Sequence, residues 1–348
     1  MKADCDTSLG EQSDIISKTT TSTVSGEGVL ERTKAVFRTS HVTLESLEKG
    51  GSDRLFFRIH FTPGEGLADS MVVTAYDATL RPENERYALI AQWLEKHGAS
   101  VPKVWHAEPG FIWLEDLGDT DLWSLRDLPW DQRCLWWLKA LDVSKALHDI
   151  PASRWEKSDL THELAFDEAL YSWEQAYFFE HCLSRHFGFS GEELSTWTNL
   201  PVWAELSQRL AALPRSLVHR DFQSQNLMVY HGDLVMIDFQ GLRPGLPEYD
   251  WVSLLWDPYA PLTRGERSEL CQRAFELESP LASWRLHACA IQRLMQALGA
   301  YGNLAYNFGK TRYLAYIIPA YSDLIELCAG WEGLENFSEF LQTLKTKV

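Results

Sequence analysis

Cationic side chains are scarce in this sequence. Lys and Arg number 32 against 49 Asp and Glu, a formal net charge of −17 over 348 residues. Such a chain repels nucleic acid and anionic lipid at long range, so neither is an expected partner. The deficit leaves anionic substrates open, because a divalent cation and a few local cations reverse the field inside a pocket. Cysteine is scarce too. The six cysteines stand at 5, 134, 182, 271, 289 and 328 with no CxxC spacing, and they read as reduced thiols in a reducing compartment. No run of 18 apolar residues is present, which argues against a spanning helix. The N-terminus lacks the apolar stretch of a secretory signal, and the cytoplasm is the expected location. There is no internal repeat and no full GxGxxG. Oligomeric state is not specified.

What is there points to two lobes. A single core stops growing near roughly 250–300 residues, and this chain is longer. Residues 1–30 hold ten Ser or Thr and few large apolar residues, so they are expected to form a flexible tail. From about Val36 to Thr74 the pattern is strand-like: TLESLEKG, RLFFRIHF and MVVTAY, with Gly50-Gly51 between the first two. A helix is expected from Pro82 and Glu83 to Leu94, then two short strands in VPKVWHAE and FIWLEDLG. After a cut near 118–122 the composition turns helical. Asp131–Ile150 and His162–Phe187 carry apolar residues at three- and four-residue spacing, a further helix is expected over Val202–Leu213, and almost everything after Arg264 reads the same way. The expected class is α+β: a tail (1–30), a strand-rich N-lobe (31–120) and a larger helical C-lobe (121–348). The 15 tryptophans imply large side chains packed between helices, with some available to stack on a ring-shaped ligand.

One block interrupts the helices: LVHRDFQSQNLMVYHGDLVMIDFQ, residues 217–240. It reads as two short strands, Leu217–Val218 and Leu234–Ile237, with a turn at His231-Gly232-Asp233. Single Asp or Asn residues in turns usually mark only the turn. Here Asp221, Asn226 and Asp238 each sit beside an apolar strand. A hairpin that joins the strand ends brings Asn226 and Asp238 within reach of one metal ion, and Mg²⁺ takes such hard oxygen ligands. Asp221 then faces a substrate hydroxyl. Phosphoryl transfer needs these parts: an orienting base, oxygen ligands for Mg²⁺ and charge compensation around the phosphates. His219 is expected to brace the loop, Arg220 to pair with a carboxylate, and Asp250 to anchor the loop or cap the next helix.

HRDFQSQN followed by IDFQ resembles the catalytic and metal-binding loops of the aminoglycoside phosphotransferase-like small-molecule kinases, which share the protein-kinase-like fold. The resemblance extends through RLFFRI, VTAYDATLRPENERYALIAQWL, VPKVWHAEPGFIWLEDLGD and LPEYDWVSLLWDPY. Within that group, WLEDLGD, NLMV, IDFQG and YDWVSLLWDPY are most similar to bacterial kinases acting on the anomeric hydroxyl of N-acetylmuramic acid and N-acetylglucosamine in cell-wall recycling. The resemblance implies ATP and Mg²⁺ as cofactors, Asp221 as catalytic base, and Asn226 and Asp238 as Mg²⁺ ligands. It implies adenine held by backbone groups around Leu114–Leu117, Glu115 and Leu117 among them.

One departure stands out. The family carries a lysine on an N-lobe strand that holds the ATP phosphates and pairs with a helix glutamate, whereas MVVTAYDA has no cation. Arg54 and Arg58 are the candidate replacements, and Glu83 or Glu85 the candidate orienting acid. Gly51 either offers backbone N–H groups to phosphate or simply makes a hairpin turn. For the acceptor, Gln223, Glu168 and Trp173 are candidates for hydroxyls and a ring face, and Arg243 for the carboxylate of a muramic acid. The expected partner is a small molecule, most simply an amino sugar. An aminoglycoside, choline or homoserine acceptor is the alternative on the same fold, and a non-catalytic nucleotide-binding protein the alternative outside enzymes.

Overall fold

The structure is a computed structural model that describes residues 25–47, 54–62, 68–79, 82–275 and 280–345. The chain divides into two compact units. The first comprises residues 1–92 and 102–116, the second residues 93–101 and 117–348. A strand-rich N-terminal unit followed by a larger helical one is the two-lobed, kinase-like α+β class expected.

The first unit is an antiparallel five-stranded sheet of order β1-β2-β3-β5-β4. Its strands are β1 (Val42–Leu47), β2 (Leu55–Phe61), β3 (Ser70–Ala75), β4 (Val104–Glu108) and β5 (Phe111–Glu115). A helix, α1 (Gly26–Phe37), precedes them, and its first residues lie inside the stretch read from sequence as tail. The Ser/Thr-rich composition hid it. Ser25 caps the helix by accepting from the Gly28 amide, and Val29 is fully buried against Phe57, Ile59, Met71, Val73 and Trp113. The Trp113 indole donates to Thr33 Oγ1 at 2.9 Å, so helix and sheet share one satisfied polar contact inside an apolar core. The stretch after Pro82 starts as a 3₁₀ turn, Pro82–Glu85, and becomes α-helical over α2 (Arg86–Lys96).

The second unit is built on helices α3 (Trp130–His148), α4 (Ala152–Glu156), α5 (Glu168–Phe178), α6 (Gly191–Thr198), α7 (Pro201–Ala211), α8 (Pro247–Leu255), α9 (Arg264–Ala274), α10 (Pro280–Asn307), α11 (Ile317–Ala329) and α12 (Glu335–Lys345). The 28-residue α10 is the central member, with α5, α8 and α11 packed on it. Two small antiparallel ribbons carry the 217–245 region. β6 (Ser216–Val218) pairs with β9 (Arg243–Gly245), and β7 (Leu227–Tyr230) pairs with β8 (Asp233–Met236). The hairpin turn therefore lies where it was expected, but β8's partner is β7. Leu217–Val218 belongs to the other ribbon, because Val218 stands opposite Arg243.

The single helix expected over His162–Phe187 is broken in two places. Residues 162–167 form no helix: the Phe166 amide donates to the Pro244 carbonyl at 2.9 Å, and Asp167 caps α5 by accepting from the Leu170 amide. Beyond α5, Phe179–His186 is wound as a π-helix. Hydrophobic spacing does not register either break, since 3.6- and 4.4-residue turns keep similar faces inward over a short run.

That π-helical stretch lies against α10, where side chains would not fit. A Cβ on Gly302 would fall 2.1 Å from the His181 carbonyl oxygen, and one on Gly299 would fall 2.7 Å from Tyr177 Cδ1. Gly302→Ala is expected to lower the unfolding free energy by about 1–3 kcal/mol, as overpacking against rigid backbone does. Urea denaturation of the full chain checks this, and a change below ~0.5 kcal/mol, the range of bland surface substitutions, would contradict the packing described.

Candidate active site

Asp221, Asn226 and Asp238 are organised by one hydrogen-bonded frame. The Asn226 side-chain amide donates to the Asp221 carbonyl at 2.9 Å, and the Gln223 amide donates to the same oxygen at 2.9 Å. The Ile237 amide donates to the Asn226 carbonyl at 2.9 Å, placing Asp238 next to Asn226 across the end of the β7–β8 hairpin. With its nitrogen committed, Asn226 keeps Oδ1 as the side-chain acceptor. Asp238 is exposed and adopts φ 62°, ψ 38°. Left-handed backbone at a non-glycine residue is costly and concentrates at functional positions. Arg220, immediately before Asp221, is likewise at φ 79°.

A buried carboxylate holds the Arg220 conformation. Asp250, fully buried in α8, accepts from the His219 amide at 2.8 Å (Oδ2) and the Arg220 amide at 2.8 Å (Oδ1). His148 Nε2 donates to Oδ2 at 2.9 Å. Asp250 thus anchors the loop rather than capping its helix. His219 Nε2 donates to the Ile237 carbonyl at 2.9 Å, tying the Asp221 loop to the strand that delivers Asp238. Asp257, also buried, accepts from the Ser224 amide at 2.8 Å and the Tyr259 amide at 2.9 Å, fixing the turn between Asp221 and Asn226.

Asp221 lies among arginines. Burial pushes its carboxyl up, but Arg220, Arg293, His219 and Arg243 outweigh burial and hold it below the usual aspartate value. Arg243, the candidate contact for an acceptor carboxylate, is 8% exposed. Position 243 on a short ribbon beside the non-helical 162–167 segment explains this. Its guanidinium stands 5.7 Å from the Phe166 ring centroid and 3.6 Å from Glu163, and Nε donates to the Gly241 carbonyl. Burial, then Arg220, lowers its pKa against the pull of Glu163. Behind the loop, Glu174 accepts from the Tyr249 hydroxyl at 2.7 Å and from Gln292 at 3.1 Å, and burial pushes its carboxyl up.

The other residues singled out in the sequence are placed as follows. Gln223 is on the Asp221 loop, half-buried. Glu168 is exposed in the first turn of α5 and accepts from Gln208 of α7 at 3.3 Å. Trp173 is 48% exposed and stacks on Tyr177 with centroids 4.8 Å apart, an open aromatic surface on α5. Glu163, Asp257 and Arg293 were not singled out. Arg293 had a legible signal: with Gln292 and Gln296 it forms a polar stripe in the otherwise apolar run 288–301 of α10.

In the first unit, Arg58 is buried on β2. Its guanidinium donates to both Asp116 oxygens, at 2.8 and 3.2 Å, and Ser70 donates to the same carboxylate at 2.7 Å. Arg54 has its guanidinium 5.7 Å from the Phe56 ring centroid. Tyr76, at the end of the lysine-free strand, donates its hydroxyl to Glu85 at 3.0 Å, and the Gly110 amide donates to the same oxygen at 3.1 Å. A tyrosine–glutamate contact therefore joins the end of β3 to the stretch preceding α2. The Glu115 amide donates to the Lys103 carbonyl, and its carboxylate accepts from the Lys103 amide. Leu117, in the second unit, is buried against Met228 and Val235. Gly51 and the Glu83 side chain lie outside the described residues.

Four of the five described cysteines are buried, and all five are free thiols. Among the described residues no helix is long and apolar enough to cross a membrane.

The model of the phosphotransferase enzyme family matches residues 43–286, and the chain belongs to that family. It is 27% identical over 266 residues to an N-acetylmuramate/N-acetylglucosamine kinase of Caulobacter vibrioides, covering 70% of each chain. It is 28% identical over 277 residues to the Pseudomonas aeruginosa protein of the same name, covering 74% of this chain and 77% of that one. Among solved structures, the ADP-bound aminoglycoside phosphotransferase APH(2'')-Ib superposes with a TM-score of 0.59 at 14% identity, covering 87% of this chain and 98% of that one. Choline kinase LicA from Streptococcus pneumoniae superposes with a TM-score of 0.58 at 15% identity, covering 88% and 99%. These likenesses establish the fold of the small-molecule kinases for this chain.

Asp250→Ala would strand two backbone N–H groups and a buried imidazole. It is expected to cost about 3–5 kcal/mol of stability, as removing one member of a buried charged network does. Denaturant unfolding checks this, and a loss under ~1 kcal/mol would contradict the anchoring role.

Proposed function

We propose that the chain transfers the γ-phosphoryl group of ATP to a hydroxyl of an amino sugar, with the anomeric hydroxyl of N-acetylmuramic acid or N-acetylglucosamine as the preferred acceptor. The observation that carries this reading is the Asp221–Asn226–Ile237 frame, which combines a carboxylate fit to orient an acceptor hydroxyl with two oxygen donors beside it. Similarity to N-acetylmuramate/N-acetylglucosamine kinases over about 70% of the chain favours the sugar.

The donor set suits Mg²⁺. One amide oxygen and one exposed carboxylate are hard ligands, and Mg²⁺ commonly binds through one or two protein oxygens plus waters and substrate phosphates. Asn226 and Asp238 would hold it. Bound there, it supplies charge neutralisation at the transferring group. The remaining work falls to side chains. Asp221, kept ionised by its arginine neighbours, accepts a hydrogen bond from the acceptor hydroxyl and takes its proton as the oxygen attacks. Gln223, on the same loop, is the candidate to hold a second hydroxyl. Arg243, already balanced by Glu163, is the candidate contact for a carboxylate such as the lactyl group of muramic acid. Trp173 and Tyr177 offer a stacked aromatic face for the sugar ring, and Glu168, in the first turn of the same helix, is a further candidate polar contact.

Arg54 and Arg58 remain the candidate cations for the nucleotide phosphates, with Gly51, Glu115 and Leu117 as backbone contacts. Arg58 would act there only while sharing its charge with Asp116.

The test is phosphate transfer from ATP·Mg²⁺ to amino sugars, aminoglycosides, choline and homoserine, read by phosphorus NMR of the product. An anomeric sugar phosphate is the expected result. Transfer only to another class would overturn the acceptor assignment, and nucleotide binding without any transfer would favour a binding protein. With the true acceptor, Asp221→Asn is expected to lower kcat by about 10²–10⁴-fold with nucleotide affinity retained, and unchanged turnover would contradict the role given to Asp221.

A further inference from the structure

Arg293 projects from the middle of α10 with its guanidinium hydrogen-bonded at two of its three nitrogens. Nε donates to Ser253 Oγ at 2.9 Å, Nη1 donates to Gln296 Oε1, and Nη2 stands 3.6 Å from Asp221 Oδ1. Ser253 is itself held, its hydroxyl donating to the Tyr249 carbonyl at 2.7 Å. The side chain is 9% exposed, and it reaches a carboxylate that is 36% exposed.

Two features separate this contact from an ordinary buried ion pair. Nε and Nη1 already have acceptors, so Arg293 does not need Asp221 to satisfy them. In addition, 3.6 Å is beyond a hydrogen bond. The guanidinium attracts the carboxylate electrostatically without occupying its lone pairs, which stay available to an incoming hydroxyl.

We propose that Arg293 is a positioning residue for phosphoryl transfer: anchored by Ser253 and Gln296, it fixes the orientation of the Asp221 carboxylate from behind while leaving that carboxylate open to the acceptor. This inference rests on the reading of Asp221 as the group that orients the acceptor. The accompanying loss of basicity is tolerable, because a loose phosphoryl-transfer transition state asks more of placement than of proton affinity. The same helix supplies Gln292, which donates to Glu174 at 3.1 Å and to the Tyr171 carbonyl at 2.7 Å. α10 therefore braces the site through two neighbouring side chains.

A double-mutant cycle separates positioning from folding. Single-turnover transfer of labelled phosphate is measured for wild type, Arg293→Gln, Arg293→Lys, Asp221→Asn and the Arg293→Gln/Asp221→Asn pair, with amino sugar as acceptor and with water alone. Arg293→Gln is expected to lower kcat by about 10²-fold, the cost of displacing a reacting group by an ångström, with the ATP dissociation constant unchanged. Arg293→Lys should recover part of the loss. In the Asp221→Asn background, removing Arg293 should cost less than threefold, because its effect passes through the missing carboxylate. Equal losses in both backgrounds, or no loss in either, would overturn the proposal. Should Arg293→Gln fail to fold, Gln296→Leu carries the test, since it removes the Nη1 anchor while keeping the cation. A fall in kcat at unchanged ATP affinity supports the proposal, and unchanged kcat overturns it. A wild-type chain that transfers phosphate to neither sugar nor water would overturn the phosphotransfer reading, and this inference with it. Wild-type turnover insensitive to Arg293 would overturn the inference alone.

Discussion

The Asp250 carboxylate is the contact on which the candidate site depends. Arg220 occupies a backbone region that non-glycine residues avoid, and Asp221 follows it directly. Left to local preference, the chain would relax out of that conformation and turn Asp221 elsewhere. Asp250 prevents this by accepting from two consecutive amides with separate oxygens, while His148 shares Oδ2. A carboxylate taken out of water is costly unless its lone pairs are used, and here three donors use them. The loop geometry is therefore built before any substrate arrives, which is the general condition for a site that works by placement.

Other buried polar groups extend the same principle. Asp257 fixes the turn ahead of Asn226, and His219 bridges to Ile237. Glu174, Tyr249 and Gln292 form a satisfied network behind the loop. These groups lie beside one large apolar core dominated by α10 and the helices packed on it. Its rigidity converts hydrogen bonds at a few points into fixed positions for Asp221, Asn226 and Asp238. Electrostatics then sets the state of the site. The chain as a whole is strongly acidic, yet three arginines converge near Asp221, so the local field opposes the global one.

Much of this was legible in the sequence where local chemistry decides the outcome. The turn at His231-Gly232-Asp233 between apolar runs fixed the hairpin, and the hairpin fixed the proximity of Asn226 and Asp238. Strand patterns in RLFFRIHF and MVVTAY gave β2 and β3 for the same reason. What stayed hidden depends on distant residues. The break before α5 needs the Pro244 carbonyl. The burial of Arg243 needs Phe166 and Glu163, and the pairing of β6 with β9 joins segments more than twenty residues apart. Helix α1 escaped because its polar flank masked one short apolar face. Arg58 was noticed as a cation, but its Asp116 partner, 58 residues away, was not.

Amide hydrogen exchange at His219 and Arg220 tests the central claim most directly, that a buried carboxylate prefolds the loop in the absence of substrate. In the ligand-free wild-type chain both amides are expected to exchange as slowly as the core of α10, and in Asp250→Asn the Arg220 amide should exchange at least tenfold faster while α10 stays protected. Fast exchange of both amides in the wild type, at the rate of an open surface loop, would contradict the account and mean that the loop is ordered only when substrate binds.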